Sequence, residues 1–118
     1  MTNSELEERL TDFSVQVLRI SIQLPGSRTG QILSGQIARS GTSCALNYGE
    51  ARGAESRKDF IHKIQLVLKE LRETFICLKI IQKTKLIKRE DEVSDVLSEC
   101  NELISIFVRS VRTAKGLK

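Results

Sequence analysis

The residues best suited to chemistry are the cations Arg39, Arg52, Arg57, Lys58, Lys63 and Arg72, spread over two adjoining segments. Their chemistry is contact with phosphate. Guanidinium forks and ammonium charges neutralise a polyanion without reading its sequence, and such binding weakens steeply with salt. Between Arg28 and Arg89, thirteen Lys and Arg side chains stand against five acids, a local excess of eight positive charges. The whole chain carries only +4, because the stretch from Glu90 to Glu102 holds six acids and no base. Helix dipoles favour acids at a helix start and bases at its end, which covers part of this asymmetry but not the surplus on the middle of the chain. The competing explanation is a solvated face balanced by Asp59, Glu70 and Glu73 at helical spacing. Aromatic residues make up 4% of the chain, with no Trp, which argues against stacking platforms for single-stranded bases.

A second constellation is polar. Gln36, Ser40, Ser43, Asn47 and Glu50 recur at three- and four-residue steps beside an apolar stripe. Together with Lys69, Glu70 and Glu73 they suit a buried hydrogen-bonded network that sets helix register, with Arg39, Lys63 or Lys69 as partners. The alternative is the lining of a pocket or channel. No nucleophile is paired with a base. His62 is the only histidine, whereas di-metal sites in helical bundles take a Glu-x-x-His motif from each of two helices. Cys44, Cys77 and Cys100 are isolated rather than paired at ligand spacing. Gly26, Gly30 and Gly35 lack the Gly-Lys-Ser/Thr ending of a phosphate loop. No catalytic residue, metal or cofactor is expected.

The elements that must position these groups are helices. A chain of 118 residues is one domain, 1–118, and its single proline, Pro25, leaves long stretches free to coil. Apolar residues at alternating four and three residue steps mark helices over about 4–24, 29–53, 56–83 and 89–114. Ser4 with Glu7 reads as the first cap, Pro25-Gly26 as the first stop, and Ser56 with Asp59 as the third cap. Short connections join the four into an all-α, up-down-up-down bundle. The first helix carries a second apolar face, Val15, Leu18 and Ile22, which marks a surface for self-association. Glycines at 35, 41 and 49 weaken the second helix by up to ~1 kcal/mol each, so close contact must offset them. Three unpaired cysteines fit reduced, buried thiols. The acidic start MTNSELEERL does not read as a secretory signal, and no stretch approaches the ~20 apolar residues of a membrane span. The cytoplasm is the expected compartment.

One string is more specific than periodicity. Leu24-Pro25, then Gln36, Arg39, Ser40, Asn47-Tyr48-x-Glu50-Ala51, Ala54, Ser56, Asp59-Phe60, Lys63, Lys69-Glu70 and Glu73 resembles the four-helix bundle proteins named after the intervening sequences of bacterial 23S ribosomal RNA genes. The resemblance implies a left-handed bundle assembled as a homopentamer with a central channel. It also implies kinship with the basic accessory variability protein of diversity-generating retroelements, which binds nucleic acid. The expected role is therefore that of a non-enzymatic oligomer, an accessory or scaffold that meets RNA or DNA through its basic surface. The alternative is a protein-interaction module, with no nucleic-acid role, whose basic surface meets an acidic partner.

Overall fold

Thr2, not Ser4, opens the first helix. In the computed structural model, which describes residues 1–117, α1 spans Asn3–Ser21. The Glu5 N–H donates to Thr2 Oγ1 at 3.0 Å and the Thr2 N–H donates to Glu5 Oε1 at 3.1 Å, a closed capping box. The expected pair, Ser4 with Glu7, has the same pattern two residues later. The earlier pair prevails because it extends the helix while still satisfying the leading donors. The far end shifts as well, to Ser21 rather than Leu24. There the Gln23 N–H turns back to the Ile20 carbonyl, and a residue before proline avoids helical backbone.

α2 spans Arg28–Arg52, begun by Ser27, whose Oγ accepts from the Gly30 N–H. α3 spans Arg57–Thr84, and its cap is the expected Ser56, accepting from the Asp59 N–H at 3.0 Å. Lys85 ends it in the left-handed region, at φ 54°. α4 spans Glu90–Ala114 and has no side-chain cap; Glu90, Asp91 and Glu92 complement its dipole instead. No strand occurs among the described residues.

Cross-helix bonds show how the rods run. Ser14 reaches Gly41 while Ser34 reaches Ser21, so α1 and α2 are antiparallel. Arg39 meets Glu73 and Lys63 meets Glu50, so α2 and α3 are too. Arg57 meets Ala114 and Gln82 meets Ser94, which reverses α4 against α3. Arg9 with Glu99, and Gln23 with Glu92, close α4 onto α1. The four-helix bundle measures 44 × 22 × 21 Å.

Its core is the set of stripes read from the sequence. Leu10, Phe13, Val17 and Ile20 meet Ile37, Ile64, Leu71, Leu78, Leu103 and Phe107, all fully buried or nearly so. Each such side chain contributes about 1.5–3 kcal/mol on leaving water. Tyr48 stands edge-on to Phe107, centroids 5.6 Å apart at 84°. Phe60 and Phe75 are half-buried and pack against this core from its edge. The three cysteines are buried and free, and burial pushes the Cys44 thiol up to about 12.

Gly41 marks the tightest approach of α2 to α1. A Cβ there would lie 2.4 Å from Val17 Cγ1, an overlap that a real structure does not tolerate. Gly41→Ala would gain up to ~1 kcal/mol of helix propensity but incur an overpacking cost of about 1–3 kcal/mol. We expect net destabilisation in urea melts, with Val17→Ala in the same chain recovering part of the loss. Simple addition of the two single effects would show that the contact does not set the spacing.

Candidate functional site

The outer side of α3 carries a stripe at alternating four and three residue steps: Lys58, His62, Gln65, Lys69, Arg72, Ile76, Lys79 and Lys83. All are exposed except the half-buried Gln65. The stripe holds no acid. One residue further round, at 59, 63, 66, 70 and 73, lie Asp59, Glu70 and Glu73 with Lys63, so the acids of α3 flank the stripe rather than sit in it, and Glu73 lies close enough to Lys69 to feel its charge. Lys58 and Lys83 stand about 38 Å apart at 1.5 Å per residue. Lys79 lies 5.7 Å from the Phe75 ring centroid, and none of the five cations makes an ion pair among the described residues.

The six cations singled out from sequence divide. Arg39 binds Glu73 at 2.6 Å and Glu70 at 3.3 Å, Arg52 binds Glu7 at 3.2 Å, and Lys63 binds Glu50 at 3.4 Å. Arg57 donates to the Ala114 carbonyl at 2.7 Å, at the end of α4. Only Lys58 and Arg72 stay open, and they belong to the stripe. Lys69, Lys79 and Lys83 join them. Their shared spacing was the signal in the sequence.

The polar stripe of α2 lies mostly on the surface, with only its Ser40 buried. Gln36 and Glu50 are exposed, and Asn47 Nδ2 donates to the Ser43 carbonyl of its own helix. Lys69 is exposed, and Glu70 is half-buried. The buried polar contacts are made by short hydroxyls, one of them Ser40 of the stripe itself. Ser14 Oγ donates to the Gly41 carbonyl at 2.8 Å, and the Ser40 and Thr74 hydroxyls sit 2.8 Å apart. Short hydroxyls next to residues that approach closely are satisfied without a pocket, which long Gln and Glu side chains are not.

Arg39, Glu70 and Glu73 form the one compact titrating cluster on this side. Burial, then the neighbouring Glu73, raises the Glu70 carboxyl above its usual range. The hydrogen bond from Arg39 holds Glu73 below it. A depressed carboxylate adds stability above its unfolded pKa and loses it as pH falls through the folded value; a raised one does the reverse. At neutral pH, Glu73→Gln is therefore expected to lower the urea midpoint and Glu70→Gln to hold or raise it. Both variants should converge on the unmodified chain once both carboxyls are protonated. Equal losses at neutral pH would overturn this assignment.

A third surface is apolar. Val15 and Leu18 are each 41% exposed and Ile22 is 80% exposed. On α2, Leu46 is 66% exposed. Gly35, Thr42 and Gly49 fall seven residues apart on a stripe one residue beyond Ser34 and Gly41, which touch α1. A Cβ added at Gly35 or Gly49 would meet nothing within 4 Å. No group of three or more potential metal ligands gathers among the described residues, and no helix there is long and apolar enough to cross a membrane.

Comparison with known proteins agrees with this architecture. A crystal structure of a protein of unknown function from the S23 ribosomal protein family of Bacteroides thetaiotaomicron is 29% identical, with a TM-score of 0.84. It covers 95% of this chain and 99% of its own. No curated protein matches the chain. The profile of the 23S rRNA-intervening sequence proteins matches residues 3–109, and the chain belongs to that family.

Proposed function

We propose that the chain is a non-enzymatic, self-assembling bundle that holds the phosphate backbone of RNA or DNA along the outer stripe of α3. The observation that carries this reading is the stripe itself. Lys58, Lys69, Arg72, Lys79 and Lys83 share one exposed stripe that contains no acid, while Arg39, Arg52 and Lys63, which face neighbouring helices, are paired. Unpaired cations in a row suit a polyanion, because each neutralised phosphate releases counterions. The ribosomal name of the solved relative and the 23S rRNA of the family name are consistent with RNA as that polyanion.

Assembly is the second half of the reading. Val15, Leu18 and Ile22, with the open glycines of α2, offer a face where another copy could approach closely, five copies being the number the family resemblance implies. Repeating the stripe around an oligomer adds avidity without any new contact.

Two measurements test these halves separately. Fluorescence anisotropy with random-sequence RNA and duplex DNA at two salt concentrations should show binding that falls with salt. Lys69→Glu with Arg72→Glu should weaken it at least ten-fold and flatten the logarithmic salt slope by about 0.7–0.9 per lost phosphate contact. Arg19→Gln on α1 should leave affinity unchanged. Absence of binding even at low salt would remove nucleic acid and favour an acidic protein as the partner of the stripe. For assembly, light scattering of Gly35→Ala with Gly49→Ala should give a weaker oligomer, although each exchange adds up to ~1 kcal/mol to an isolated helix. A 13.3 kDa particle at every concentration of the unmodified chain would end the assembly half.

A further inference from the structure

α4 outruns α1. Arg9 pairs with Glu99 and Glu102, and Met1, Ile106 and Arg109 line the same groove of about 400 Å³. Since α1 begins at Asn3, its antiparallel register takes it no further along α4 than the turn from Ile106 to Arg109. From that turn on, the last turns of α4 and the first turn of α3 flank an open slot of about 470 Å³.

Its floor is Phe60, Ile106 and Ala114, each half-buried. Its rim carries Arg57 and Arg109. Arg57 is held in place by its 2.7 Å bond to the Ala114 carbonyl, which occupies only one of its five donors. Neither arginine makes an ion pair among the described residues. The hydroxyl of Ser110 is already committed to the Ile106 carbonyl at 3.0 Å, so the guanidinium groups are the charged polar groups facing the slot.

We propose that this slot binds a small organic anion with an apolar body, of the class of aromatic carboxylates and sulfonates. The floor needs an apolar group to displace its water, and the two guanidinium forks match a carboxylate or sulfonate at one end. The volume lies within the ~300–1,000 Å³ of small-molecule sites. An inorganic anion would leave Phe60 and Ile106 wet. A neutral ring would leave both arginines without a partner. The slot shares no residue with the stripe of α3, so it stands or falls independently of nucleic-acid binding.

The test uses two dyes with the same rings. Fluorescence titration of the full chain with 1-anilinonaphthalene-8-sulfonate should saturate at one site per chain, while the uncharged N-phenyl-1-naphthylamine should bind more weakly. Arg109→Gln should weaken the sulfonate at least about five-fold and leave the neutral dye unchanged. Arg28→Gln should alter neither. Amide resonances of residues 57–60 and 106–114 should shift in nitrogen-15 spectra as the sulfonate is added. Arg109 is exposed, and an unchanged melting temperature would show that the variant folds. Three results would overturn the proposal: equal affinity for the two dyes, an Arg109→Gln chain that binds the sulfonate normally, or shifts confined to Val15, Leu18 and Ile22. Failure to saturate below about 1 mM would do the same.

Discussion

The bundle depends on one close approach, where Gly41 of α2 leaves room for Val17 of α1. The absent side chain sets the distance between those helices, and Ser14 fixes their register by donating to the Gly41 carbonyl. The residue before it, Ser40, lies on the other flank of α2 and meets Thr74 of α3. Two consecutive residues therefore govern two interfaces. Cys44 and Cys100 fill the adjoining space as small apolar groups; their thiols bond to carbonyls of Ser40 and Leu71, and burial raises both away from reactivity.

That register decides which way the charges of α3 face. With Thr74 turned to α2 and Leu71 to the core, Glu70 and Glu73 come within reach of Arg39. Lys69 and Arg72, each one residue earlier than those acids, turn to solvent. A rotation of α3 by one residue, about 100°, would carry Asp59, Glu70 and Glu73 onto the outer side and mix the signs there. The acid-free stripe is thus a consequence of core packing as much as of composition. The Ser40–Thr74 hydroxyl contact is one of the bonds that hold the helix in that register.

Helix number and inward stripes were legible in the sequence, since apolar residues recur at helical steps and almost nothing interrupts them. Ends were less so. The pattern Ser/Thr-x-x-Glu occurs at Thr2 and again at Ser4, and local propensity alone does not choose between them. Partners of the cations were not legible either. Arg39 and Glu73 are 34 positions apart, so their pairing follows from the register of two helices rather than from spacing along one. Gln36, Asn47 and Glu50 read as network residues because a polar stripe beside an apolar one has the same periodicity whether it faces a neighbour or water. Of the hydroxyls that do cross interfaces, Ser40 belongs to that stripe, whereas Ser14 sits singly between Phe13 and Val15 and gives no pattern.

The glycines of α2 carry the argument for a surface beyond the single chain. Gly30 and Gly41 each have a neighbour that forbids a side chain: the Pro25 carbonyl, and Val17. Gly35 and Gly49 have none, yet each weakens the helix by up to ~1 kcal/mol relative to alanine. Within one molecule that cost has no return. A second helix laid against the Gly35–Thr42–Gly49 stripe would supply one, because bare backbone lets helices approach more closely than methyl groups allow. The same contact would cover Leu46 and the Val15–Leu18–Ile22 face. It would also leave the α3 stripe uncovered, since α3 lies on the opposite flank of α2 from α1. The two surfaces are then compatible, and assembly through one would multiply the charge presented by the other.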